Sequence, residues 1–105
     1  MKKLEIKTKK EFIENTTEGV SLIKVGATWC GPCNVTQKNI ESIDNNYKDI
    51  KFLEIDAEDA DEELVSYLSV FNLPTIVIYK DSEEVFRHVG AMNKNQLVET
   101  LNKYV

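Results

Sequence analysis

The stretch "SLIKVGATWCGPC", residues 21–33, joins a short apolar run to two cysteines that are separated by glycine and proline. Residues 21–27 are largely apolar and rich in β-branched side chains, which predicts a strand buried on both faces of a parallel sheet. Pro32 suits the first turn of a helix. After Cys33, apolar residues recur at near-helical spacing at Val35, Ile40, Ile43 and Tyr47. The stretch therefore predicts a strand, a tight turn and a helix that begins at the cysteine pair.

The rest of the chain alternates strand-like and helix-like segments. Helix starts are indicated by a capping box from Thr8 to Glu11, by Asp61, and by a second capping box from Asn93 to Gln96. Further strands are predicted over residues 4–6, 51–56, 75–79 and 85–89, the last two as an antiparallel hairpin. The order βαβαβαββα predicts an α/β fold with a central mixed sheet of about five strands, flanked by about four helices.

Length and composition argue against several classes of protein. The chain has 105 residues and neither repeats nor a linker-like segment, so we expect one domain over residues 1–105. A net charge of −5 argues against a nucleic-acid partner, which rewards a basic face. No apolar run approaches the roughly 20 residues of a membrane-spanning helix, and the basic start lacks the pattern of a signal peptide. We expect a cytoplasmic monomer with neither nucleic acid nor membrane as a partner.

The two cysteines allow three kinds of site. A tetrahedral zinc site needs four ligands, whereas this chain has two cysteines and one distant histidine, His88, so we expect no metal. A structural disulfide across so short a loop removes little entropy from the unfolded chain, and a reducing cytoplasm opens it. The start of a helix, in contrast, stabilises a thiolate on Cys30 and lowers its pKa. The pair is therefore interpreted as redox-active, with Cys30 attacking and Cys33 resolving the mixed disulfide.

"WCGPC", residues 29–33, resembles the active-site motif of the thioredoxin family, and the resemblance extends over the whole chain. "FLEID" (52–56), "LPTIVIY" (73–79) and "VGA" (89–91) are similar to further segments of that family. The resemblance implies the thioredoxin fold and a reductase of protein disulfides that binds no cofactor and is recharged by a thioredoxin reductase. It also implies a substrate groove formed by Trp29, Gly31, Pro32, Leu73, Pro74 and Gly90.

The sequence alone also allows a purely structural interpretation of two of these groove residues. The resemblance implies that Pro74 follows a cis peptide bond and faces the cysteines, but a proline at the head of a strand is tolerated in any case. Trp29 could be a core residue, although a large flat side chain next to the nucleophile suits the edge of a binding surface. Two functions also stay open beside the reductase: a thioredoxin-fold oxidase or isomerase, and a binding module that uses the groove without turnover.

Lys24 is the main departure from the family, which usually has a buried aspartate six positions before the first cysteine. A lysine in a buried strand is costly unless it is paired or deprotonated, so it should reach a carboxylate or have a lowered pKa. One hypothesis places Lys24 beneath Cys33, as a cation that favours the thiolate or as a neutral base. The alternative is that its stem reaches solvent. Lys38 and Ser82 also replace a helix-kinking proline and a turn glycine of the family.

Overall fold

Five strands form one mixed sheet in the computed structural model, which describes residues 1–105. The strand order is β1-β3-β2-β4-β5, with β1, β2 and β3 parallel and with β4 antiparallel to both of its neighbours. This arrangement confirms the mixed sheet and the final hairpin. The strands are β1 (Lys2–Glu5), β2 (Val20–Gly26), β3 (Lys51–Asp56), β4 (Thr75–Lys80) and β5 (Glu83–Val89).

Four α-helices cover the sheet, in the order that the sequence predicts. They are α1 (Lys9–Asn15), α2 (Gly31–Ile43), α3 (Glu62–Tyr67) and α4 (Lys94–Leu101), with a 3₁₀ turn at Asp44–Asn46. Both predicted capping boxes are present, at Thr8 and at Asn93. Asp61 occupies the N-cap position of α3 as predicted, although its side chain makes no capping hydrogen bond. None of these helices is long and apolar enough to cross a membrane.

Strand β2 lies at the centre of the molecule and is buried on both faces, as predicted. Because side chains alternate along a strand, Ile23 and Val25 join the core beneath α1 and α3, while Leu22 faces α2 and α4. Lys24 and Gly26 point to the α2 side as well. The central strand therefore places Lys24 and Gly26 directly beneath α2, the helix that begins at the cysteine pair.

The buried stripe of α2 differs from the predicted one at its first member. Val35 is 55% exposed, and Tyr47 lies beyond the helix, after the 3₁₀ turn. The buried positions are Cys33, Thr36, Ile40 and Ile43, which repeat at intervals of three and four residues. The apolar pattern predicted Ile40 and Ile43 but missed the first two members of the stripe, because these are a cysteine and a threonine. Lys38 lies within the helix, on its exposed side.

The hairpin turn between β4 and β5 is held by contacts with the segment that joins α1 to β2. Asp81 and Ser82 both have positive φ angles, 49° and 75°. The carboxylate of Asp81 accepts a hydrogen bond from the Gly19 amide at 2.8 Å, and the Ser82 amide donates to the Thr16 carbonyl at 2.8 Å. These bonds support a left-handed turn at Ser82, the position at which the family usually has glycine.

Candidate active site

The cysteine pair lies where β2 passes into α2. Cys30 is the N-cap residue of the helix, and its Sγ accepts a hydrogen bond from the Cys33 amide at 3.3 Å. The two residues form a disulfide, with their Cα atoms 5.3 Å apart. Cys30 is 6% exposed and Cys33 is 1% exposed. An amide donor and the positive end of a helix at Cys30 favour negative charge on its sulfur once the bond is reduced.

The segment before β4 brings the second side of the site to the cysteines. Leu73 packs against the small cluster that contains Ala27, Cys30 and Cys33. The Leu73–Pro74 peptide bond is cis, as the family resemblance implies. The Gly90 amide donates to the Pro74 carbonyl at 2.8 Å, so Gly90 lies beside this segment, with a φ angle of 104° that favours glycine.

Trp29 stands on the surface next to the cysteines. Its side chain is 70% exposed, so the interpretation of Trp29 as a core residue is wrong. Its indole N–H donates to the Glu58 carboxylate, which lies in the loop after β3. Gly31 and Pro32 are also exposed in the first turn of α2. The sequence shows no signal for Glu58, because its acidic segment reads as an ordinary solvated loop.

Lys24 is buried, with only 4% of its surface exposed, so the proposal that its stem reaches solvent is wrong. Its Nζ donates to the Gln37 side-chain oxygen at 2.5 Å and lies 3.5 Å from Oε1 of Glu54. Burial lowers the pKa of Lys24, and the attraction of Glu54 opposes that effect only in part. Both expectations for a buried lysine, a carboxylate partner and a lowered pKa, are therefore met.

Gly26 brings Lys24 and Cys33 together. A Cβ atom added at Gly26 would lie 3.1 Å from both Cβ and Sγ of Cys33, and 3.6 Å from Cε of Lys24. The sum of the last two distances limits the separation of Sγ and Cε to about 7 Å. The absence of a side chain at Gly26 thus lets the resolving cysteine and the lysine approach the same patch of backbone.

Two polar side chains outside the predicted site hold its parts in place. Thr36 is fully buried, and its hydroxyl donates to the Pro32 carbonyl at 2.9 Å and accepts from the Met92 amide at 3.2 Å. It therefore links α2 to the segment after Gly90. A threonine within a helix often bonds to the carbonyl four residues earlier, but its contact with residue 92 has no local signal in the sequence.

Arg87 holds the segment before β4 in place, as Thr36 does for the segment after Gly90. Its guanidinium donates to the Leu68 carbonyl at 2.7 Å and to the Ser69 carbonyl at 3.3 Å, while Glu84 holds it from the other side. The Thr75 hydroxyl donates to the Asn72 carbonyl at 2.7 Å. These bonds fix both ends of the loop between α3 and Pro74.

Comparison with known proteins identifies the family. The Thioredoxin family model matches residues 3–103. The chain belongs to the thioredoxin family. It is 36% identical to the thioredoxin of Ophiophagus hannah over 93 residues, which cover 89% of this chain and 87% of that protein. It is 35% identical to the thioredoxin of Bacillus subtilis strain 168 over 99 residues, covering 93% and 94% of the two chains.

A solved structure gives the same result. The X-ray structure of Fasciola hepatica thioredoxin matches all of this chain over all of its own, with a TM-score of 0.83 and 29% sequence identity. The two cysteines of the motif are present and close enough to bond. The chain is therefore an enzyme, a thiol–disulfide oxidoreductase with disulfide reductase activity.

Proposed function

We propose that this thioredoxin reduces disulfide bonds of other proteins, with Cys30 as nucleophile and Cys33 as resolving cysteine. The observation that carries the assignment is the position of Cys30 at the N-cap of α2, where it accepts the amide of Cys33. Both features stabilise a thiolate at Cys30. The deeper burial of Cys33 suits a group that acts only after the substrate is attached.

The reaction takes place in two exchanges. The Cys30 thiolate attacks one sulfur of the substrate disulfide, and the other substrate sulfur leaves as a thiolate that takes a proton from water. The Cys33 thiolate then attacks the Cys30 sulfur, which releases the second substrate thiolate and forms the Cys30–Cys33 disulfide. The substrate gains two electrons and the chain loses two. A thioredoxin reductase then returns the pair to the dithiol, and the chain itself binds no cofactor.

The groove around Trp29, Pro74 and Gly90 is proposed to hold the substrate. The N–H and C=O groups of Leu73 make no hydrogen bond within the chain, although Leu73 packs against the cysteine cluster. An extended peptide can therefore bond to this backbone with little dependence on its sequence. Gly31 and Pro32 leave the approach to Cys30 open, since an added Cβ at Gly31 would meet no atom within 4 Å.

We further propose that the enzyme works as a monomer in the cytoplasm. A reductase needs a compartment that keeps dithiols reduced, and the cytoplasm does so through glutathione and thioredoxin systems. A monomer leaves the exposed face around Trp29 open to protein substrates of different shapes. Size-exclusion chromatography with light scattering measures the mass, and immunolabelling locates the protein. A dimer that covers Trp29 contradicts this part of the proposal.

Reduction of insulin by the purified protein tests the function. We expect Cys30→Ser to abolish the activity, and Cys33→Ser to accumulate a mixed disulfide on Cys30. Full biological function of the Cys30→Ser variant would instead support the binding module, and unchanged insulin reduction by that variant would contradict Cys30 as the nucleophile. Equilibration with glutathione separates a reductase from an oxidase or isomerase, because thioredoxin-like potentials lie near about −270 mV, and those of strong oxidants near about −120 mV.

A further inference from the structure

Lys24 is the only charged residue among the buried residues of the chain. Moving an ammonium group out of water is strongly unfavourable unless its partners compensate for the lost hydration. The exchange steps described above assign no role to this lysine. Its surroundings therefore decide whether its charge is neutralised by its partners or left to act on another group.

Lys24 shares its carboxylate partner with a second lysine. Glu54 lies on β3, between Lys3 on β1 and Lys24 on β2, and the three side chains form a ladder across the sheet. One carboxylate oxygen is 2.9 Å from Nζ of Lys3, and the other is 3.5 Å from Nζ of Lys24. Glu54 accordingly raises the pKa of Lys3, while burial lowers that of Lys24. With both lysines protonated, this Lys3–Glu54–Lys24 ladder carries one unpaired positive charge.

The unpaired charge lies at the buried end of the ladder. The side chain of Lys3 is 48% exposed, so solvent screens it, whereas Lys24 is screened little. Strand β4, on the other side of β2, contributes only Ile76 opposite Lys24. The charged or titratable groups around Lys24 on the remaining elements are Lys3 from β1, Glu54 and Asp56 from β3, and Cys33 and Glu41 from α2.

Cys33 is the buried titratable group that this charge can reach. Its Sγ lies within about 7 Å of Cε of Lys24, across the bare backbone of Gly26. The charged Nζ is one bond beyond Cε and therefore lies within about 8 Å of this sulfur. At an effective dielectric constant of about 20, a cation at that distance lowers the pKa of a thiol by roughly one to two units. Glu41 is exposed, and Asp56 is half-buried at the cleft that Lys24 also lines, so solvent weakens the opposing effect of Glu41 strongly and that of Asp56 in part.

We propose that the ammonium group of Lys24, oriented by Gln37 and Glu54, stabilises the thiolate of Cys33 and thereby speeds the second exchange. This inference rests on the proposed function, because Cys33 must be a thiolate to attack the mixed disulfide. Lys24 keeps its own proton in this step. The thiol proton of Cys33 passes to water. A cleft of about 80 Å³ lined by Lys24, Gly26 and Gln37 can admit water next to Gly26, the residue that separates Lys24 from Cys33.

The ionisation of Cys33 can be measured in isolation. The chain has two cysteines, so Cys33 is the only thiol in a Cys30→Ser background. We expect Lys24→Met to raise the pKa of Cys33 by about one to two units, followed by thiolate absorbance in the ultraviolet. Lys24→Arg keeps the charge and should keep the pKa low. An unchanged pKa in Lys24→Met overturns the inference.

The rate of the second exchange is measured in the reduced protein with Ellman's reagent. Attack by Cys30 releases one thionitrobenzoate, and resolution by Cys33 releases the second. We expect the second release to slow roughly three- to tenfold in Lys24→Met at neutral pH, because the smaller thiolate fraction is partly offset by the greater nucleophilicity of a more basic thiolate. The rate should recover at alkaline pH, where Cys33 ionises without help. A deficit that persists at alkaline pH contradicts the inference, because it indicates misplacement of Cys33.

Lys24→Arg separates the cation from a base, because arginine stays protonated and cannot accept the thiol proton. Recovery of the second release in Lys24→Arg supports the inference. If Lys24→Arg is as slow as Lys24→Met although circular dichroism shows both to be folded, the inference is wrong and the neutral base is favoured. Loss of the first release in the wild-type protein contradicts the proposed function itself, so the two failures are distinguishable.

Discussion

Replacing Thr36 by valine tests how much the hydrogen bonds between α2 and the segment after Gly90 contribute to the free energy of unfolding. Valine has nearly the shape of threonine, so the variant leaves no cavity at this fully buried site. It removes the hydroxyl that bonds to the Pro32 carbonyl and accepts the buried Met92 amide. The Met92 N–H is then left without a partner.

The expected loss follows from that orphaned donor. An unsatisfied buried N–H is unfavourable by about 1–3 kcal/mol, and the extra buried methyl group offsets less than about 1 kcal/mol. We therefore expect Thr36→Val to lower the free energy of unfolding by about 1–2 kcal/mol. For a domain of this length, the melting temperature should fall by roughly 5–10 °C.

Amide hydrogen exchange at Met92 separates this cause from a general loss of packing. Thr36→Ser keeps the hydroxyl and loses only the methyl group, so its Met92 amide should stay protected. In Thr36→Val the same amide should exchange about tenfold faster or more, since each 1.4 kcal/mol corresponds to a factor of ten. Equal protection of Met92 in the two variants would refute the reasoning, whatever their melting temperatures.

Three further predictions concern other parts of the site. Gly26→Ala places a methyl group 3.1 Å from Cys33, so urea unfolding should show that the free energy of unfolding falls by about 1–3 kcal/mol. Gly31→Ala is the control: it has open space around the added methyl group and should not be destabilised. Arg87→Met leaves two carbonyls after α3 without their donor and should lower the free energy of unfolding by about 1–2 kcal/mol. Proteolysis of the loop between α3 and Pro74 should become faster, and unchanged proteolysis contradicts the role of Arg87 in holding that loop. Lys24→Met should be at least as stable as the wild type at neutral pH. Because the pKa of Lys24 is lowered by burial, the unfolded chain binds more protons just below pH 10.5, so wild-type stability should rise relative to the variant as pH increases through that window; a constant difference contradicts it.

Most helices and strands could be predicted because their signals are local. The capping boxes at Thr8 and Asn93 each lie within four residues, and β3 has the bounds that its apolar run predicts. The strands at the sheet edges shift, however: β1 begins at Lys2 and β5 at Glu83, each two residues earlier than predicted. Pairing with a neighbouring strand decides where an edge strand begins, and the neighbour is distant in sequence.

The reacting groups of the site could be predicted for the same reason, since Cys30 and Cys33 share one turn of helix. The residues that surround and support these cysteines could not be predicted. Lys24 meets Gln37 and Glu54, which are 13 and 30 residues away along the chain, and this contact requires the parallel pairing of β2 with β3. A single sequence shows that a buried lysine needs a partner, but it does not show which of the many acidic side chains is near.

The Lys3–Glu54–Lys24 ladder explains how a cation can occupy the strand position at which this family usually has an acid. A lone ammonium beside a buried thiol would be driven to lose its proton, and a fully paired one would have no charge to offer. Glu54 lies closer to Lys3 than to Lys24, so it offsets the burial of Lys24 only in part. The charge that is left matches the single negative charge of a Cys33 thiolate, which exists only while the cysteines are reduced. By reciprocity, reduction of the disulfide should raise the affinity of Lys24 for its proton, so the redox state of the pair and the charge of the lysine are coupled.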